Sequence, residues 1–154
     1  ETVPADIQKE AFIRQIRMAN EVDKPVLIHM RLATDDTRRY MKENLKVPGI
    51  MHCYSGGAEA MQDFLDMGMY ISFSGNITVE LDDESTQRAV KEVPLDRILV
   101  ETDAPSLTPA PMQGKENEPR YITYVIEHIC RVRNMKKEEL IRAVSENYRR
   151  LMKE

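Results

Sequence analysis

Four short apolar runs recur along the chain at nearly even spacing: VLIH at 26–29, GIMHC at 49–53, YISFS at 70–74 and ILVETD at 98–103. Each is too short for a helix, and β-branched residues recur in them, so each predicts a buried strand. Their starts lie 23, 21 and 28 residues apart with helix-like segments between, the rhythm of βαβ units that feed a parallel sheet. The fold class is therefore α/β. A chain of 154 residues has room for one domain, 1–154, with a sizeable core, and no low-complexity stretch or linker divides it.

The helical segments have identifiable causes. Residues 4–21 open with Pro4 at a first-turn position and Asp6 near the positive end of the dipole, and they place Ile7, Ala11, Ile16 and Ala19 near one side. Thr34 predicts an N-cap for 35–44, where Asp35 and Asp36 suit a helix start. Residues 58–67 carry Met61, Phe64 and Leu65 on one face and stop at Gly68. A less regular helix covers 85–92 before Pro94 interrupts, and SLTPAPMQGKEN at 106–117 predicts an irregular loop. Pro119 starts a helix over 119–133 with Ile122, Val125, Ile126 and Ile129 inward. A last helix over 137–152 presents Leu140, Ile141, Val144, Tyr148 and Leu151.

Composition removes several classes of function. No apolar run approaches the roughly 20 residues that span a bilayer, so no membrane role is indicated. A net charge of −4 argues against a broad basic surface for nucleic acid, although a local site is compatible with it. Cys53 and Cys130 lack CxxC spacing and predict buried or idle thiols in a reducing cytoplasm. The chain begins ETVPADIQ without an initiator methionine, which suggests part of a longer translation product.

In a parallel sheet all carboxyl ends point the same way, so residues at those ends gather at one mouth. His29 closes the first predicted strand, His52 lies near the end of the second and Asp103 closes the fourth. Two imidazoles and a carboxylate suit a divalent ion such as zinc with open coordination positions, and such an ion activates water toward a phosphorus or carbonyl centre. A lone strand-end histidine is more often structural; three such residues at matching ends tip the balance toward function. His128, inside a predicted helix, reads as a plain helical position. Glu101 precedes Asp103 by two and shares its strand face, either as a second site carboxylate or as the partner of a nearby base. The SGG at 55–57 is either an anion cradle at a helix start or a tight turn, and the ten methionines read as packing.

The runs VLIHMR, GIMHCYSGG, YISFSGNIT, ILVETDAP and GKENEP, with the ending SENYRRL, together resemble the TatD-type deoxyribonucleases. These are metal-dependent hydrolases of the amidohydrolase class built on (βα)8 TIM barrels. The resemblance implies that His29 and His52 are metal ligands, and that Asp103 is a ligand that also orients or deprotonates the attacking water. It implies cleavage of DNA phosphodiesters with magnesium, manganese or zinc, two ions per intact site, and other hydrolyses in some relatives, including removal of misplaced amino acids from tRNA. Arg31, Ser55 and Asn117 of the GKENEP loop would face substrate phosphate. Two departures stand out: Leu32 stands where the family carries an acid after its Arg, and Met112, Gln113 and Glu116 stand where a His and two Args are usual, so that fewer cations face the substrate. Weaker or altered phosphate recognition is expected.

The family barrel opens with an H-x-H strand and places a bridging Glu at the end of its fourth strand. The only histidines here are His29, His52 and His128, so the resemblance aligns the chain with strands five to eight, the carboxy-terminal half of the barrel. Four parallel strands cannot close. Such a chain is expected to pair with the missing amino-terminal half or with a second copy, and not to be a competent nuclease alone. Two alternatives stay open, a non-catalytic interaction half-barrel and another amidohydrolase-type reaction such as aminoacyl-tRNA deacylation.

Overall fold

The structure, a computed structural model, describes residues 3–79 and 83–153. In chain order it runs α1 (Ala5–Glu21), β1 (Val26–His29), α2 (Thr34–Asn44), β2 (Gly49–His52), α3 (Gly57–Asp66), β3 (Met69–Phe73), α4 (Glu84–Glu92), β4 (Ile98–Val100), α5 (Ile122–Arg133) and α6 (Lys137–Met152). The strands form one sheet in the order β1-β2-β3-β4, every neighbouring pair parallel. The regular spacing of apolar runs thus becomes a sheet whose strand order follows the sequence.

Register and strand alternation divide the sheet into two faces. Ile28, Met51, Met69, Ile71, Phe73 and Ile98 share one face and enter the main core with Ile16, Met41, Met61, Phe64, Val90, Val125, Ile129 and Leu140 from the helices. Tyr54 meets Phe64 and Phe73 edge-on, with centroids 6.1 and 6.4 Å apart. The other face carries Leu27 and His29, Ile50 and His52, Tyr70 and Ser72, and Leu99. Leu151 of α6 covers it at Tyr70 and Leu99, whereas Leu27 at the β1 end is 64% exposed.

Side chains finish several elements. Asp83 caps α4 by accepting from the Thr86 N–H and hydroxyl, and Arg133 donates to the carbonyls of Val90, Lys91 and Val93 at its other end. Gly75 follows β3 where a Cβ would run into the Leu107 carbonyl, so that position lets the loop after β4 lie directly on the strand end.

Some expectations need correction. Thr34 does not cap α2; it is the first helical residue, Ala33 occupies the cap position, and no side chain bonds there. Pro119 opens a short 3-10 turn, and α5 begins only at Ile122. Ile7, Ile141 and Tyr148 are exposed although periodicity placed them inward, because nothing among the described residues packs over those stretches of α1 and α6. His128 lies within α5 as expected; there it is buried, receives an Arg131 N–H at Nδ1, and therefore donates from Nε2 to Gln87 Oε1 at 2.9 Å.

Candidate metal centre

His29 and His52 are the last residues of β1 and β2 and pair in register on the face turned away from the main core. Register alone brings their rings together: the centroids lie 5.7 Å apart and the two Nδ1 atoms 3.5 Å apart. β4 ends at Val100, but the Glu101 N–H bonds the Phe73 carbonyl at 2.9 Å and carries the ladder one step further. Asp103 does not close the strand as expected. It sits three residues beyond, in a left-handed turn with φ +57°, and the Ser106 N–H bonds its carbonyl at 2.8 Å.

That turn sends the carboxylate back toward the sheet. Asp103 Oδ1 lies 3.3 Å from His52 Nε2, and Glu101 Oε1 lies 2.9 Å from the same nitrogen. His52, Glu101 and Asp103 each present a ligand atom, and all three atoms fall within 4.8 Å of one another. His29 stands apart from that trio, because His52 turns Nδ1 toward it and Nε2 toward the carboxylates. Of the residues singled out at strand ends, the structure brings His52 and Asp103 together, and Glu101, left between two roles by its spacing, joins them in the cluster.

The donor set fits a divalent cation. Glu101 Oε1 is buried and makes no aligned hydrogen bond, although His52 Nε2 is 2.9 Å away. Burying an ionised oxygen without a partner is costly, and a cation shared with Nε2 removes that cost. Two ligands each about 2.1 Å from one tetrahedral ion stand roughly 3.4 Å apart, close to the 2.9 and 3.3 Å separations here. One imidazole with two carboxylates is a borderline-to-hard set that zinc, manganese and magnesium all accept.

The remaining predicted site residues are placed less uniformly. Arg31 and Ser55 are exposed on loops that follow β1 and β2, with Leu32 fully exposed beside Arg31. Gly57 adopts φ +76° and Tyr54 donates its hydroxyl to the Gly57 carbonyl, so SGG forms a tight turn into α3. Asn117 is 3% exposed and spends both amide hydrogens on the carbonyls of Thr102 and Ser106, leaving none for a phosphate. Gln113 turns back into its own loop to bond Thr108, while Met112 is half-buried and Glu116 exposed. Cys53 and Cys130 are unbridged, with Cys53 Sγ 2.9 Å from Ser74 Oγ. No helix among the described residues is long and apolar enough to cross a membrane.

The sequence model of the family described as TatD related DNase matches residues 1–153. The chain belongs to the TatD family. Over 152 residues it is 45% identical to the uncharacterized metal-dependent hydrolase YabD of Bacillus subtilis, a match that takes in 97% of this chain and 59% of that protein. Over 150 residues it is 31% identical to a Citrobacter rodentium protein named 3'-5' ssDNA/RNA exonuclease TatD, covering 94% of this chain and 57% of that one. Its backbone matches the crystal structure of YJJV, a TatD homolog from Escherichia coli, with a TM-score of 0.86 at 26% identity, covering 100% of this chain and 61% of the other. The chain thus spans about three fifths of the length of these TatD relatives.

Proposed function

We propose that this chain supplies the His52, Glu101 and Asp103 side of the active site of a metal-dependent hydrolase that cleaves DNA phosphodiester bonds. The observation that carries the reading is the convergence of one imidazole and two carboxylates on a common point, with the Glu101 oxygen buried and unbonded. The exonuclease name of a 31% identical relative favours a nucleic-acid substrate over an amide. A divalent cation held by these three residues supplies Lewis acidity toward water and a phosphoryl oxygen. Asp103, with a side chain 34% exposed against 18% for Glu101, is the carboxylate that water reaches, and it accepts the proton of the attacking water. Glu101, deeper, holds charge. His29 would help hold a second ion, and Arg31 would anchor substrate phosphate from the neighbouring loop.

The same reading assigns the chain to the carboxy-terminal half of a TIM barrel, with its partner the polypeptide that makes up the other two fifths of its relatives. β1 pairs on one side only among the described residues, and beside its exposed Leu27 lies a groove of about 500 Å³ lined by Phe12, Ile16, Met18 and Val22. A free parallel edge next to an apolar groove suits a further strand with its covering helix. Alone, the chain is a poor nuclease because both ions lack ligands from that partner.

The test is cleavage of a labelled single-stranded DNA oligonucleotide with magnesium, manganese or zinc, run beside aminoacyl-tRNA and small amides. The proposal expects metal-dependent DNA cleavage when the companion polypeptide is supplied, little without it, and none in His52→Ala. Vigorous cleavage by the chain alone, lost in His52→Ala, refutes the need for a partner. Turnover of amides or aminoacyl-tRNA but not DNA refutes the substrate.

A further inference from the structure

Asp103 holds a backbone conformation that costs a non-glycine residue free energy, least for Asp and Asn. Something must keep it there, since a relaxed turn would aim the carboxylate elsewhere. The carbonyls of Thr102 and Ser106 lie on either side of this turn, and Asn117 Nδ2 donates to both, at 2.6 and 2.5 Å. Its own N–H bonds the Pro105 carbonyl at 3.1 Å, so one residue grips three of the carbonyls between 102 and 106. Carbonyl oxygens only accept, which fixes the amide with nitrogen toward them and leaves Oδ1 buried and unbonded.

We infer that Asn117 is a positioning residue for Asp103: its amide nitrogen bridges the two carbonyls that flank the left-handed turn and so holds the carboxylate beside His52. This rests on the reading of His52, Glu101 and Asp103 as a cation site. It gives GKENEP a task its exposed neighbours do not share, since Asn117 alone of the loop's polar side chains is buried against the site. Partners one step behind a metal ligand typically set affinity by a factor of about 10–100.

The same chain supplies a matched control. Asn147 of α6 is 1% exposed and donates Nδ2 to the carbonyls of Leu95 and Ile98, at the opposite end of the same strand. Asn117→Ala and Asn147→Ala each strip two carbonyls of an amide donor, but only the first touches the Asp103 turn. Cobalt(II) is the probe, because its visible absorption reports both affinity and ligand geometry. The expected result is an affinity about 10–100-fold weaker in Asn117→Ala with an altered cobalt spectrum, and an unchanged affinity and spectrum in Asn147→Ala. Should Asn117→Ala not fold, Asn117→Ser, which keeps one donor, is expected to show an intermediate loss. Equal weakening in both asparagine variants, or wild-type affinity in the Asn117 variants, overturns the inference. A wild-type chain that takes up no cobalt sinks the cation site itself, whereas cobalt uptake indifferent to Asn117 sinks only the clamp.

Discussion

Replacing Asn147 with Ala removes the only side chain that ties α6 to the start of β4 through paired amide hydrogens among the described residues, and the size of the effect can be worked from the two bonds. Ile98 is fully buried, so its carbonyl, now 2.8 Å from Nδ2, would lose its partner where water cannot replace it; that costs about 1–3 kcal/mol. Leu95 is only half-buried, and the 2.9 Å bond there is worth about 0.5–1.5 kcal/mol. Together they predict a loss of about 2–4 kcal/mol, which lowers the midpoint of thermal unfolding by roughly 4–16 °C for a domain of this size. Urea unfolding followed by circular dichroism measures it directly: the midpoint should fall with the slope unchanged, the mark of a stability change without a change in exposed area. A loss below about 0.5 kcal/mol would show that the two bonds contribute nothing net, and the reasoning from buried acceptors would fail.

Further outcomes follow from neighbouring contacts. His128 is held neutral by burial and by Arg131 beside it, with its pKa below the ordinary 6.5. The unfolded chain therefore binds a proton that the folded chain refuses, so the His128 contribution is full above about pH 6.5 and declines as pH falls toward the folded pKa. The difference in unfolding free energy between wild type and His128→Gln should shrink on going from pH 7.5 to 5.5, and a pH-independent difference would contradict this. Phe64→Ala, which empties a fully buried position against Tyr54, should cost about 3–5 kcal/mol in the same urea assay; a value near 1 would mean the core closes over the gap. Gly75→Val, which drives a side chain into the Leu107 carbonyl, should destabilise the chain and displace the loop that carries Asn117, seen as faster hydrogen exchange at the Asn117 amide.

Much of the sheet was legible because parallel strands buried between helices write themselves as short unbroken apolar runs, and β1 and β2 end at His29 and His52, the residues their runs led up to. Alternation along a strand put Glu101 and Asp103 on one face, yet the chain achieves that convergence through a left-handed turn that no periodicity records. The same limit hid Asn147 and the task of Asn117, which was expected to face phosphate; both amides act through carbonyls brought near by the tertiary fold. Ile7 was placed on the inward side of α1 by its spacing; its exposure is a property of what lies beside α1, not of α1 itself. The departures at Met112, Gln113 and Glu116 fall on loop positions where sequence reports charge but not direction, and Gln113 proves to bond its own loop.

The central claim is that His52, Glu101 and Asp103 hold one divalent cation. Crystals of the chain soaked in manganese and measured at an anomalous wavelength test it most directly. The account predicts a peak within about 2.3 Å of His52 Nε2 and of one oxygen from each carboxylate, absent from His52→Ala. A map empty at that point while manganese occupies another surface, or a peak that persists without His52, would contradict it.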